Sequence, residues 1–273
     1  MSPNAYACDV SVVIITWKAK QFLSNLLQSI YKHTKDITFE VVVVDNNSGD
    51  GTSEMVKSDY PSAKLLMNPT NMGVASARNR GIAEAKGKYI FIIDVDTELF
   101  ENSIEKLFLF MEENPQCGIV GSQLVDGERK MQYSSRRFPS LLVMVFRRLD
   151  FFSVVKHSEA LRRHMMLDWD HSDVREVDYV IGACQFIRHD VLNEIGSYDS
   201  HIFYGPEDLD MCLRVWNSSR TVVFYPHTKI YHYEQRITKK KPLSLITLRH
   251  LYGILYLFWK YRGRIERKLK SKP

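Results

Sequence analysis

A chain of 273 residues lies between one large domain and two small ones, since domains run to roughly 100–200 residues each. At 45% hydrophobic and 25% charged residues it can bury a sizeable core, which excludes disorder, collagen-like repeats and coiled coil. Residues 260–273 carry seven Lys or Arg and one Glu, so the rest sums to about −1 of the net +5 and lacks the basic face of a nucleic-acid binder. Four cysteines, Cys8, Cys117, Cys184 and Cys212, stand far apart with no CxxC pair. That spacing excludes a zinc ribbon and argues against a disulfide scaffold, so a reducing, cytoplasmic setting is the simplest expectation. MSPNAYACDV shows no basic segment followed by an apolar run, so no secretory signal is read there.

In chain order, VSVVII (residues 10–15) is a β-branched run too short for a helix and typical of a strand buried on both faces. Phe22, Leu23, Leu26, Leu27 and Ile30 then fall on one helical face. VVVV (41–44), LLMN (65–68) and YIFII (89–93) read as further strands, with an Ala-rich helix over 74–85 before the last. Strand–helix alternation of this kind predicts a mostly parallel, Rossmann-like α/β sheet flanked by helices. Residues 118–135 read as a strand and a hairpin, residues 138–152 as an apolar stretch carrying charge, and residues 177–188 as one more buried strand. A helix over 207–216 opens after Pro206, and TVVFY (221–225) is the last strand. One α/β domain over 1–235 with a helical, basic appendage over 236–273 is the expected organisation.

Ligands of open α/β sheets bind beyond the carboxyl ends of the strands, and two strands here end in acid. VVVV runs into Asp45, and YIFII runs into Asp94, with Asp96 two residues on. Two such carboxylates at a sheet rim suit a hard divalent cation, Mg²⁺ or Mn²⁺, shared with substrate phosphates. A solvated turn or a helix cap is the plain alternative for a bare D-x-D. In PEDLD, Glu207, Asp208 and Asp210 could equally serve the positive end of a helix, with Asp210 and Arg214 a structural pair at i, i+4. No GxGxxG follows the first strand, no HExxH occurs, and GIAEAKGK matches a phosphate-binding loop only loosely. Cys184 and Cys212 read as small core residues, and His227 as a strand-end histidine.

VSVVIITW, VVVVDNNSGDGT, NMGVASARNRGI and YIFIIDVDTEL, in that order, resemble the N-terminal half of family 2 glycosyltransferases with the GT-A fold. VDYVIGACQFIRHDVLNEIGSYDSHIFYGPEDLDMCLRVW and YPHTKIYHY are similar to the rhamnosyltransferase-like subgroup, and the match runs from Asp9 to Tyr233. Trp17-Lys18 stands where the family commonly has Tyr-Asn. The resemblance implies that Asp45 contacts the nucleoside, that Asp94 and Asp96 hold the metal and the sugar-nucleotide, and that the acidic pair Glu207 and Asp208 supplies the base. It implies that His232 approaches the metal or diphosphate, and that Thr16, Trp17, Asn71 and Arg78 face the donor. Asn71, Gly73, Asn79 and Gly81 are expected to shape the loop and helix beside it. The implied activity is inverting, metal-dependent transfer, best of rhamnose, from a dTDP- or UDP-sugar to a saccharide or lipid-linked saccharide of the cell envelope. A nucleotidyltransferase and a non-catalytic carbohydrate- or membrane-binding module are the competing classes.

Residues 243–272 mix apolar, aromatic and basic side chains, but the longest uncharged run there, 251–259, has nine residues. A membrane-spanning helix needs about 20. An interfacial helix on an anionic surface at the inner face of the cell membrane, with Trp259 and Tyr261 at headgroup depth, fits better. Packing on the catalytic domain, or on a second copy in a homodimer, is the alternative.

Overall fold

The runs of Val and Ile become the centre of the sheet because their β-branched side chains fit a pleated surface buried on both faces. The computed structural model describes residues 6–148, 158–235 and 244–267. Strands β1 (Cys8–Thr16), β2 (Phe39–Asp45), β3 (Lys64–Met67) and β4 (Gly87–Asp94) alternate with helices α1 (Lys20–His33), α2 (Thr52–Asp59) and α3 (Val74–Ala83). β5 (Thr97–Leu99), α4 (Ser103–Glu113), β6 (Cys117–Val125), β7 (Met131–Gln132), β8 (Ser135–Arg136) and α5 (Leu141–Arg148) follow. The remainder comprises α6 (Glu159–His164), β9 (Arg175–Glu176), β10 (Tyr179–Val180), β11 (Cys184–Arg188), α7 (His189–Ile195), α8 (Glu207–Asn217), β12 (Thr221–His232) and α9 (Leu245–Lys260).

The main sheet runs β3-β2-β1-β4-β11-β6-β12-β5, with β7 beside β6 and β9 beside β12. The β3-β2-β1-β4 half is parallel, β6 and β12 are parallel to each other, and β11 lies antiparallel between β4 and β6. Strand order reverses between β1 and β4, and that switch point is where a crevice opens at the carboxyl ends. The register places Thr16 opposite Asp45 and Ile15 opposite Asp94, so both acids reach the same rim.

Both faces of the sheet are covered. Val13, Val42, Ile90 and Ile92 join the core under α3 and α8, while Val12, Ile14, Val43 and Phe91 join the core under α1 and α4. A Cβ on Gly81 would come within 2.4 Å of Val13, so this glycine lets α3 lie flat on β1.

Two expectations are corrected. Residues 177–188 are not one strand: β10 pairs with β8 in a separate two-stranded sheet, and β11 enters the main sheet after a turn at Gly182. A continuous apolar run cannot reveal that break, because both pieces are buried. The final strand continues seven residues past Tyr225, which carries His232 to the rim beside β5. Cys117, Cys184 and Cys212 are buried, and all four cysteines are free thiols. Residues 149–152 of the charged apolar stretch, and residues 236–243 and 268–273 of the basic segment, lie outside the described residues.

The C-terminal helix packs on the α/β body. Ile254, Leu257, Phe258 and Ile265 share the core of Ile202 and Leu209. Tyr261, expected at headgroup depth, turns inward and donates to Asp210 at 2.9 Å, while Lys260 donates to Asp199 and Asp210 at 2.7 and 2.6 Å. Two buried or half-buried carboxylates need a cation more than the surface does. No helix among the described residues is long and apolar enough to cross a membrane.

Candidate active site

Asp94 closes β4, and Asp96 follows in the turn to β5. That turn is fixed from both sides, because Thr97 Oγ1 donates to the Asp94 carbonyl at 2.7 Å and the Tyr233 N–H donates to the Asp96 carbonyl at 2.8 Å. The second bond docks the end of β12 against the D-x-D. Ligand atoms of Asp94, Asp96 and His232 therefore lie within 4.8 Å of one another.

His232 presents a defined nitrogen. Gln132 Nε2 donates to the His232 carbonyl at 2.8 Å, which turns Gln132 Oε1 toward the ring, 2.8 Å from Nδ1. Nδ1 then donates to that oxygen, and Nε2 lies 3.7 Å from Asp96 Oδ1. An outer partner that fixes the tautomer in this way is usual for metal-binding histidines. Burial, and then the neighbouring Asp94, push the Asp96 carboxyl up from its ordinary value, with His232 opposing. Two carboxylates and an imidazole nitrogen crowded in this way fit a divalent cation such as Mg²⁺ or Mn²⁺ by charge and by donor type.

Arg78 on α3 joins this cluster to the second acidic motif. Its side chain is fully buried; Nη2 donates to Asp94 Oδ1 at 2.8 Å and to the Gly182 carbonyl at 2.9 Å, and Nη1 donates to Glu207 Oε1 at 3.0 Å. Its face lies 5.3 Å from the Tyr198 ring centre. Burial works against the guanidinium charge, but Asp94, Tyr198 and Glu207 outweigh it and hold the proton more firmly than usual. For Glu207 burial is the larger effect: it pushes the carboxyl up to about 7, although Arg78 pulls the other way. Glu207 Oε2 is buried and has no hydrogen-bond partner among the described residues.

Asp208 is half-buried at the start of α8. Its Oδ2 accepts the Gly182 N–H at 3.0 Å and its Oδ1 accepts the Leu209 N–H at 2.7 Å. The Gly182 peptide thus holds Arg78 with its oxygen and Asp208 with its nitrogen. A Cβ there would stand 2.7 Å from Arg78 Nη1, so only glycine admits the guanidinium. Asp210 belongs to a different network. It accepts from Arg214 at 2.9 Å, the i, i+4 pair expected from sequence, and from Lys260 and Tyr261.

The rest of the rim comes from the ends of β1 and β2 and the loops that follow them. Asp45 is buried at the end of β2, and its two oxygens accept from Ser48 N–H of the following loop and from Ser53 Oγ in the first turn of α2. Thr16 Oγ1 is buried without a partner among the described residues, and Trp17 beside it is 42% exposed. Asn71 Oδ1 accepts from Asn46 Nδ2 and from the Gly73 N–H, so Asn71 shapes its own loop. Gly73 has φ +83°, and a Cβ there would meet Phe203. Asn79 pins the loop before α8 by exchanging two hydrogen bonds with the Tyr198 backbone. His227 is exposed and lies outside the cluster. Sequence reasoning missed Gln132, Gly182 and Asn46, whose roles depend on partners from distant segments.

Residues 11–196 match the glycosyl transferase family 2 profile. Over 265 aligned residues, 92% of this chain and 85% of the relative, the protein is 24% identical to N-acetylglucosaminyl-diphospho-decaprenol L-rhamnosyltransferase of Mycobacterium tuberculosis (strain ATCC 25618 / H37Rv). Among solved structures it is similar to the mannosyltransferase PcManGT from Pyrobaculum calidifontis in complex with GDP-Man and Mn²⁺ (TM-score 0.63, 18% identity, 96% of this chain and 66% of that one). It is similar also to S. aureus TarS 1-349 (TM-score 0.58, 18% identity, 82% of this chain and 60% of that one). A family match over most of the catalytic fold decides against the nucleotidyltransferase and the non-catalytic module. The chain belongs to glycosyl transferase family 2 and is a glycosyltransferase of GT-A fold with a rhamnosyltransferase-like sequence.

Proposed function

We propose that the protein is an inverting, divalent-metal-dependent transferase that moves a sugar, rhamnose first, from a dTDP- or UDP-sugar to a lipid-linked saccharide. The observation that carries this reading is Arg78, which ties Asp94 of the D-x-D to Glu207 of the P-E-D and so makes one site of two distant motifs. The choice of rhamnose and of a lipid-linked acceptor draws support from the mycobacterial relative, named as an N-acetylglucosaminyl-diphospho-decaprenol L-rhamnosyltransferase.

Asp94, Asp96 and His232 would hold Mg²⁺ or Mn²⁺. Bound there, the cation neutralises charge that develops on the diphosphate leaving group. Thr16, Trp17 and Asp45 line the rim where the nucleoside would rest, with Asn71 shaping the adjoining loop. Asp208 takes the proton of the acceptor hydroxyl, while the acceptor oxygen bonds to the anomeric carbon and the bond from that carbon to the diphosphate oxygen breaks. Attack opposite the leaving group inverts the centre, and no carboxylate nucleophile is needed. Glu207 and Arg78 act by positioning: they lock Asp94 and the start of α8 in one rigid unit.

The test is a donor panel of dTDP-rhamnose, UDP-sugars and GDP-mannose with a short polyprenyl-diphosphate-linked N-acetylglucosamine, with and without Mn²⁺, read by released nucleoside diphosphate. Release from dTDP-rhamnose that requires both Mn²⁺ and acceptor is the expected result. Turnover of another donor alone reassigns the sugar, and transfer unaffected by chelation removes the metal from the proposal.

A further inference from the structure

Helix α9 has two faces with different surroundings. Gly253, Ile254, Leu257 and Phe258 face the catalytic domain, where a Cβ on Gly253 would stand 2.9 Å from the Gly205 carbonyl oxygen. Leu245, Leu248, Tyr252, Leu255 and Trp259 recur at intervals of three and four residues, so they form one stripe on the opposite side. They are 55–76% exposed, and Leu251 beside them is 46% exposed. Scattered apolar residues are normal on a surface, but a continuous row of this length marks an interaction face.

Charge selects the partner. Arg249, Arg262 and Arg264 are exposed around the stripe. Residues 236–273 contain twelve Lys or Arg against Glu266 alone, while the 235 residues before them carry a net −6. A second copy presenting the same stripe would bring this positive charge against itself. An anionic lipid surface complements it, and Tyr252 and Trp259 are the residue types that settle at headgroup level. At 16 residues α9 is shorter than the roughly 20 that a span requires, so it would lie in the membrane plane.

We propose that the outward face of α9 is a docking surface for an anionic lipid bilayer, and that docking brings the mouth of the active site to the lipid surface. The inward face makes the link. It packs on Ile202, Gly205 and Pro206, and Arg249 stacks over Phe203 at 3.8 Å; this is the loop that leads directly into Glu207 and Asp208. An acceptor carrying a lipid then meets Asp208 without leaving the bilayer. The docking itself is independent of which sugar is transferred.

The experiment uses the full chain with vesicles of phosphatidylcholine, with and without phosphatidylglycerol. Wild type is expected to sediment with anionic vesicles, and to do so about tenfold less at high salt or with phosphatidylcholine alone. Leu248→Glu with Leu255→Glu is expected to lower anionic partitioning about tenfold, with thermal midpoint and nucleotide binding unchanged. Brominated acyl chains should quench wild-type tryptophan emission and spare that of Trp259→Phe, a reading that stands even where the double variant folds poorly. Equal partitioning of wild type and double variant, or equal quenching of wild type and Trp259→Phe, overturns the proposal. So does a wild-type dimer that ignores vesicles and that the double variant dissociates.

Discussion

Glu207 and Asp208 are neighbours in sequence but occupy different environments. Asp208 is half-open and held by two backbone N–H groups, whereas Glu207 is closed in beneath Arg78. Asp208→Asn keeps the shape and loses the proton acceptor, so the transfer rate should fall by a factor of roughly 10² to 10⁴ with donor affinity unchanged. Transfer rate and donor dissociation constant measured side by side check this, and a dead Glu207→Gln beside an active Asp208→Asn would exchange the two roles. Glu207 also predicts a pH effect on stability. Burial raises its carboxyl from the ordinary 4.5 to about 7, so within that window the folded protein binds more proton than the unfolded chain. This group's contribution therefore makes stability fall as pH rises from 4.5 to 7. Urea midpoints across that range should show the decline in wild type and lose this component in Glu207→Gln.

At the scale of elements, α9 and the loop before α8 behave as one unit. Lys260 and Tyr256 reach Asp199, Lys260 and Tyr261 reach Asp210, and Gly253 allows the two backbones to touch. Helix propensity alone favours replacing a helical glycine, by up to about 1 kcal/mol. The contact with the Gly205 carbonyl reverses the sign, because a Cβ there has backbone and not a flexible side chain against it. Gly253→Val should destabilise the protein by about 1–3 kcal/mol, the usual cost of overpacking. It should also slow transfer, since the displaced loop carries Glu207 and Asp208. Denaturant midpoints and rates for the same variant check both, and a stabilised, fully active Gly253→Val would show that the helix can move away without consequence.

At the scale of the whole molecule, the site joins residues from both halves of the chain, so ligand and fold are coupled. A ligand present at 100 times its dissociation constant adds about 2.7 kcal/mol to a protein that binds it only when folded. For a domain of this size, at roughly 2–4 °C per kcal/mol, that raises the thermal midpoint by roughly 5–11 °C. Nucleoside diphosphate with Mn²⁺ should produce this shift, and neither alone should match it. In Asp96→Asn the Mn²⁺-dependent part should vanish while the ligand-free midpoint holds or rises, because a crowded carboxylate has been neutralised. A persisting Mn²⁺ effect in that variant would place the metal elsewhere.

The centre of the parallel half was legible in the sequence because strands buried on both faces are apolar at nearly every position, and VSVVII, VVVV and YIFII read that way, with buried Ser11 satisfied by hydrogen bonds. The acids that end those strands were legible too, since a carboxylate closing such a run has only the rim to occupy. The break at Gly182 and the extension of β12 to His232 were not, because burial looks the same in either pairing and hydrogen-bond partners come from distant segments. Arg78 could be named from the motif that contains it, but its bridge from Asp94 to Glu207 exists only once α3, β4 and α8 are packed. Gln132 carries no local signal at all, and its role follows from the β6–β7 pairing that sets it against His232. For the last helix, composition specified an apolar and basic segment, and tertiary packing alone decided which of its faces is covered by the catalytic core and which is left for a partner. The sequence determines what each segment prefers, whereas proximity between segments far apart in the chain is decided by how their buried faces meet.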